Sequence, residues 1–348
     1  MGGTLEAKVG DDYRWCGRRV WVVEGSSGSM PDTPELPEAF EQPTRQKPGC
    51  GFPVAKVVAM FCWASGAVLG VARGAYRRNE LSLWRQLWDQ LHAGDVVRGD
   101  RFYGSYADGA PRQARECDGV FRWRGSRARV IDFRQGQRLG KNDRLFTWSR
   151  PPQGSRTLSP EEFALRPATV TVRVLRFDPR IKGFRRRRIL VVTTLWDPQQ
   201  FSLEQIAALY GDRWTVELRI REVKTTLQME ILHGPSEEIV RQEIYRHFLA
   251  YNLIRALMGQ AAQDHGRPWH RLRFAGTLQH FPAVAPYLCL FAGTPKVDEW
   301  YRRLLSWIAR DRVPDRPHRV EPRALKRRPK PYDLLTRPRN EMRKALLR

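Results

Sequence analysis

Four side chains between Leu209 and Leu227, in LYGDRWTVELRIREVKTTL, are of types and at spacings that suit phosphate and metal chemistry. On an ideal α-helix, at about 100° per residue, Tyr210, Arg213, Glu217 and Lys224 share a stripe roughly 60° wide. One phenol and two cations then flank one carboxylate. Arginine suits bidentate contact with a phosphate, and lysine places a point charge beside it. Leu209, Val216, Ile220, Val223 and Leu227 form an adjoining apolar stripe, which predicts a helix with one buried face. The same pattern also describes an amphipathic helix with a solvated i, i+4 ion pair, and periodicity alone leaves both readings open.

A single carboxylate holds a divalent ion poorly, so further acidic positions matter. The segment GDVVRGDRFYGSY puts Asp100 at the end of a short strand, DVVR, just before Arg101, Phe102 and Tyr103. Its competing reading is a turn aspartate that caps a loop. The segment RRVWVVEGSSGSMPDTPE puts Glu24 at the end of a β-branched and aromatic strand, with a break expected at Glu24-Gly25-Ser26. Asp32 lies nearby.

The spacing Tyr-x2-Arg-x3-Glu-x6-Lys, met by Tyr210, Arg213, Glu217 and Lys224, resembles the signature of the IS4-family DDE transposases. The Asp100 segment is similar to that family's Gly-Asp-x-x-x-x-Asp-Arg-x-Phe/Tyr motif. The Met-Pro-Asp-Thr-Pro stretch after Glu24 and PKPYDLLTRPR in the tail resemble it too. The resemblance runs from about Trp15 to the C-terminus. It departs at two places. The family has Asp-Gly-Ser/Thr where this chain has Glu24, and the extra methylene moves the carboxylate by about 1.5 Å. Only 23 residues precede Glu24, so the family's helical N-terminal DNA-binding region is expected to be missing. Asp32 matches a different family position and is not expected to be a ligand.

The resemblance implies an α/β fold: an RNase H-like (retroviral integrase-type) core with a β-rich insertion before the catalytic helix. It implies metal-dependent DNA strand cleavage and strand transfer. Glu24, Asp100 and Glu217 would be the catalytic carboxylates and would hold two Mg²⁺ or Mn²⁺ ions. Such a pair, about 3.5–4 Å apart, activates the attacking oxygen and stabilises the leaving one. Tyr210, Arg213 and Lys224 would position phosphates. The implied partner is double-stranded DNA, as insertion-sequence ends and target DNA, with a homodimer in the synaptic complex. The alternative is a catalytically impaired remnant that only binds DNA; another is an RNase H-type nuclease unrelated to mobile elements.

Composition points the same way. The formal net charge is +24 and the sequence pI is about 10.6, which calls for a polyanionic partner, nucleic acid first and an anionic membrane second. The longest apolar run, Val57 to Ala72, falls short of the roughly 20 residues that span a bilayer, and Ser65-Gly66 in its middle predicts a hairpin. No membrane role and no secretory signal are expected, and the location implied is cytoplasmic, on the bacterial nucleoid. Five cysteines without CxxC spacing read as reduced thiols, and the seven histidines show no HxxxH pairing.

The elements that must position the carboxylates divide the chain into five parts. Residues 1–17 are expected to be disordered. Residues 18–118 form the first part of the core, including an antiparallel pair over Val54–Ala72 and a helix over Leu81–Leu91. Residues 119–195 hold the β-rich insertion and the last core strand, read from VFRWR, RARVIDFR, LFTWSR, ATVTVRVLRF and RRRRILVVTTL. Residues 196–305 hold the catalytic helix and C-terminal helices. Residues 306–348 are a basic, disordered tail: from Arg310 onward it carries 14 Lys/Arg against 5 Asp/Glu. Arg101, Arg185 and Arg187 are further candidates for DNA contact, the last two as alternate members of a four-arginine run on a strand. A hairpin edge kept soluble by charge is the other reading of that run. Trp123, Trp148 and Trp196 are expected to pack rather than to stack on bases.

Overall fold

The computed structural model describes residues 2–7, 10, 13–43, 51–113, 115–123, 131–155, 157–177, 189–211, 214–314 and 337–347. Among them runs one nine-stranded mixed sheet. Its strands are β1 (Val20–Ser29), β2 (Val54–Cys62), β3 (Val68–Gly74), β4 (Val96–Gly99), β5 (Asp118–Arg122), β6 (Gln137–Gly140), β7 (Asp143–Ser149), β8 (Thr169–Phe177) and β9 (Ile189–Thr193). The spatial order is β3-β2-β1-β4-β5-β9-β8-β7-β6. β1, β2 and β3 pair antiparallel, while β1–β4 and β4–β5 are parallel. The first five strands therefore make the RNase H-like 3-2-1-4-5 sheet expected above. Among the described residues, the insertion's strands β6, β7 and β8 continue the core sheet through β9 in antiparallel pairing.

Strand alternation assigns the two faces. Trp21, Val23, Val58, Met60, Val97 and Phe121 pack on one side, against Leu81, Leu83, Trp84 and Tyr106. These come from α3 (Glu80–Arg85) and α4 (Tyr106–Gln113), and the start of α3 is capped by the Asn79 side chain accepting from Leu81 N at 2.9 Å. Val57, Ala59 and Phe61 face the other side, against Val240, Ile244, Phe248, Tyr251 and Met258. On that side Val20, Val96, Val120 and Val191 meet Ile206, Leu209 and Tyr210.

Several expected elements have different bounds. β1 does not stop at Gly25: it continues to Ser29, because Gly25 through Ser29 keep their pairing with Val58 through Val54 of β2. The segment expected to be disordered at the N-terminus includes α1 (Gly2–Ala7), which packs on β3 with Leu5 buried. The segment after Pro31, for which no element was expected, contains α2 (Leu36–Phe40), anchored by buried Leu36 and Phe40. Residues 131–136 form turns where a strand was expected, and 124–130 lie outside the described residues. α5 (Pro160–Ala164) lies between β7 and β8, and after β9 come α6 (Leu203–Gly211), α7 (Trp214–Arg221), α8 (Glu237–Asp264), α9 (Phe274–Leu290) and α10 (Lys296–Arg310). The described part of the tail holds the end of α10 and a further helix, α11 (Arg339–Leu346), while 315–336 lie outside the described residues.

Candidate functional site

The register of the sheet brings two of the candidate carboxylates together. Parallel pairing runs from Val20↔Val96 to Val23↔Gly99. Glu24 and Asp100 are the next residues on these two strands, which in any sheet lie about 4.8 Å apart. By alternation Glu24 shares a face with Val20 and Val22, whereas Asp100 follows the last residue of β4, Gly99. Both are half-buried. Asp100 ends β4 in an aspartate turn, its Oδ1 accepting from Arg101 N at 2.6 Å. The Arg101 side chain beside it is exposed.

The opposite face of the same strand end is filled by two side chains from α3 and the Asp100 loop. A Cβ on Gly25 would stand 2.8 Å from Glu80 Oε2 and 3.1 Å from the Tyr103 hydroxyl. Tyr103 is buried, with its hydroxyl 3.5 Å from Glu80 Oε2. Burial first, then the negative charges of Glu80, Glu24 and Asp100, push its phenol well above the usual value, so it stays a protonated donor. Glu80 was not among the residues singled out from the sequence. Its place in the first turn after the Asn79 cap is the signal that aims it at the strand ends.

Glu217 arrives from the helical side. α6 is described to Gly211 and α7 from Trp214, with 212 and 213 outside the described residues, and a π-helical turn follows over Glu222–Thr226. The stripe computed on one straight helix therefore does not carry across that turn to Lys224. α7 packs on β1, and Glu217 is half-buried in its first turn. Arg98, buried on β4, donates to Leu209 O and so ties the end of α6 to the strand of Asp100. Arg219, buried, donates to Cys62 O at 2.7 Å and Trp63 O at 2.5 Å. Glu222 pairs with Arg255 of α8. After the π turn the chain returns to β1, with Ser29 N donating to Glu230 O at 3.0 Å and Leu232 N to Ser29 O at 2.8 Å. The helix that carries Glu217 is thus fastened to the strand that carries Glu24 on both sides of the turn.

The remaining candidates are more scattered. Tyr210 is only 3% exposed, its ring 6.4 Å from that of Phe177, so the structure places it in the core beneath α6 and not on a surface stripe with Glu217. Lys224 lies within the π turn and is half-buried. Arg213, Arg185 and Arg187 lie outside the described residues. Among the described residues no three His, Cys, Asp or Glu side chains are grouped closely enough to hold a metal ion. Glu24, Asp100 and Glu217 thus do not converge on one ligand sphere. The donors themselves, carboxylate oxygens, are of the kind that hard divalent cations take.

Next to the Asp100 loop, a cleft of about 460 Å³ opens between core and insertion, lined by Phe102, Tyr106, Trp123, Trp148 and Phe163 among others. Trp123 and Trp148 pack on each other with centroids 5.6 Å apart, and Trp148 meets Tyr106 edge-on at 5.3 Å. Trp196 lies elsewhere, 46% exposed and donating to Thr171 O. Among the described residues no helix is long and apolar enough to cross a membrane; Val57 to Ala72 forms the hairpin expected of it.

A family profile described as Transposase DDE domain matches residues 15–253. The transposase InsG for insertion sequence element IS4 of Escherichia coli (strain K12) is 27% identical over 326 residues, which is 91% of this chain and 70% of that protein. A probable transposase for insertion sequence element IS5377 of Geobacillus stearothermophilus is 40% identical over 78 residues, 22% of this chain and 20% of that one. Among solved structures, a piggyBac transposase synaptic complex with hairpin DNA aligns over 86% of this chain and 59% of that chain, with a TM-score of 0.44 and 8% identity.

Proposed function

The chain belongs to the DDE-domain transposases, and from that premise we propose that it catalyses DNA strand cleavage and strand transfer for an IS4-type insertion sequence. The observation that supports the reading is the parallel β1–β4 register, which ends with Val23 beside Gly99, one residue before Glu24 and Asp100, on a strand against which α7 packs. Glu24, Asp100 and Glu217 would hold two Mg²⁺ or Mn²⁺ ions. Three carboxylates repel one another, and divalent cations offset that repulsion, so convergence belongs to the metal-bound state in this proposal. When bound, the ions supply an activated water or 3′-hydroxyl and stabilise the leaving oxygen. The chain's own groups orient the substrate: Arg101, Lys224, Arg213, Arg185 and Arg187 are proposed to hold phosphates of double-stranded DNA at element ends and target. Tyr210 remains a proposed phosphate contact whose hydroxyl must first leave the core. A homodimer would bring two element ends together, and the site of action is the cytoplasm, on the nucleoid.

Strand transfer from pre-cut element ends into plasmid DNA tests this. We expect Asp100→Asn and Glu217→Gln each to lower the rate by about 10³-fold or more, with DNA affinity in EDTA unchanged. Metal-dependent transfer that survives both changes would remove the assignment. Glu24 is the family's aspartate with a longer arm. A carboxylate displaced by about 1 Å can cost on the order of a hundredfold, so Glu24→Asp is expected to raise the rate by about tenfold or more. An unchanged or lower rate would show that the glutamate is already well placed.

A further inference from the structure

We propose that Arg219, Glu222, Tyr251 and Arg255 form a buried positioning cluster that fixes the rotation of α7, and through it the direction of the Glu217 carboxylate. The inference rests on Glu217 being a metal ligand, as proposed above. These four residues lie outside the Tyr-x2-Arg-x3-Glu-x6-Lys pattern, and the chemistry proposed so far makes no use of them.

Three observations converge. First, Arg219 stands two residues after Glu217, about 200° around the helix, so it holds the flank opposite the carboxylate. Its fork reaches two successive carbonyls, Cys62 O at 2.7 Å and Trp63 O at 2.5 Å, at the end of β2. A planar guanidinium on two fixed acceptors allows little rotation, unlike a single contact. Second, the cluster continues onto the same hairpin. The Tyr251 hydroxyl donates to Gly66 O at 2.9 Å and accepts from Arg255 Nε at 3.0 Å, and Arg255 pairs with Glu222. Gly66 has φ +76°, and a Cβ on it would stand 3.1 Å from both Arg219 Nε and Arg255 Cζ, so both guanidiniums rest on that turn. Third, Glu222 opens the π-helical turn, whose 2.9 Å bond from Leu227 N to Glu222 O spans five residues. A π turn changes the helical phase, and this one is pinned where the change begins.

The energetics argue against a purely stabilising role. Two buried guanidiniums, Arg219 and Arg255, stand near one carboxylate, Glu222, which is ion-paired with Arg255. Burial pulls the Arg219 pKa down, while Tyr251, Cys62 and Glu222 push it up and Arg255 opposes them. Burial pushes the Tyr251 phenol up to about 12, so it stays a neutral donor. Buried ion clusters of this kind are often matched or bettered in stability by apolar residues of equal volume. What apolar residues do not reproduce is a directional attachment. The attachment runs to β2, the partner strand of β1, so Glu217 and Glu24 are set from one pair of strands.

The test uses the full chain, with Mn²⁺ titration followed by electron paramagnetic resonance, DNA affinity in EDTA by fluorescence anisotropy, and thermal unfolding. The variants are Arg219→Met, Arg219→Lys and Glu222→Gln, with Glu217→Gln as the reference. Supporting groups behind metal ligands typically change metal affinity about 10–100-fold, so Arg219→Met and Glu222→Gln are each expected to weaken Mn²⁺ binding by about tenfold or more. Arg219→Lys, with one donor group in place of a fork, should fall between, and DNA affinity in EDTA should stay within about twofold of the parent. If Glu217→Gln binds Mn²⁺ like the parent, the ligand assignment fails and not the positioning. If Glu217→Gln loses Mn²⁺ while Arg219→Met and Glu222→Gln bind it as tightly as the parent, at whatever melting temperature, the cluster is merely structural and the proposal is overturned. Should Arg219→Met not fold, Glu222→Gln, unchanged in volume, decides alone by the same criterion.

Discussion

At the scale of single residues, the glycine that follows Glu24 has a physical reason to be glycine. Gly25 lies in extended strand, so its backbone does not demand the residue; the space does. On its far side the Glu80 carboxylate and the Tyr103 hydroxyl fill the volume of a methyl group. Gly25→Ala therefore pushes on the flexible end of Glu80, which can give way, and on Tyr103, which is buried and cannot easily do so. The cost in stability should be small, about 1 kcal/mol, because one clash is with a mobile carboxylate. The cost in strand transfer should be larger, about tenfold, since the residue displaced is the immediate neighbour of Glu24. Adding Glu80→Ala removes the closest obstruction and should restore part of the rate. Urea unfolding and strand-transfer rates on the two single variants and the double variant check this; a double variant slower than Gly25→Ala would mean that Glu80 is itself needed for the reaction.

At the scale of elements, docking of α8 on the sheet depends on one amide that stands in for a strand. Asn252 accepts from Val68 N and donates to Val68 O, both at 2.8 Å, and so closes the first residue of β3 on both backbone groups. Leucine at this position keeps the size and leaves two buried backbone groups without partners. Each such group costs about 1–3 kcal/mol, so Asn252→Leu is expected to lower unfolding free energy by about 2–4 kcal/mol in urea. A change under about 0.5 kcal/mol would place the docking energy elsewhere, in the apolar face of Val240, Ile244 and Phe248. Asn252 also shows which elements the sequence made legible. The strands were readable because Val, Ile and Trp cluster in them, the β2–β3 turn because Ser65-Gly66 interrupts an apolar run, and α3 because Asn79 caps it. Less legible were features set by partners distant in sequence. Glu24-Gly-Ser-Ser-Gly has little intrinsic strand preference and is extended because β2 pairs with it throughout. The π turn after Arg221 disrupts a period that looks continuous in the letters alone. Arg219 reads as a polar position on an exposed face, and only the carbonyls of Cys62 and Trp63 explain its burial. A shared role for Glu24 and Asp100 was expected from resemblance alone; the parallel β1–β4 register that precedes both residues joins strands some 75 residues apart in the chain.

At the scale of the whole molecule, the net charge of +24 surrounds a site proposed to be built from carboxylates. The two serve different steps. The carboxylates act once DNA is in place, whereas the cations decide whether it arrives, through attraction to the phosphate backbone that carries no base information. Twelve Lys/Arg against four Asp/Glu lie in residues 315–348, beyond the end of α10, and the described part of that segment, α11 included, is largely exposed. Binding to plain duplex DNA should therefore weaken steeply with salt, by about 10³-fold or more between roughly 50 and 200 mM if six or more phosphates are neutralised. Removing residues 315–348 should lower the slope of log affinity against log salt by about 2–4, as a few of those contacts are lost. The truncated chain should keep its affinity for Mn²⁺ and its cooperative unfolding, because the deleted residues contribute nothing to the described apolar clusters. Anisotropy titrations at several salt concentrations measure the slope directly. An unchanged slope would move the DNA-facing charge onto the folded body, where Arg101 beside Asp100 would be the next residue to neutralise.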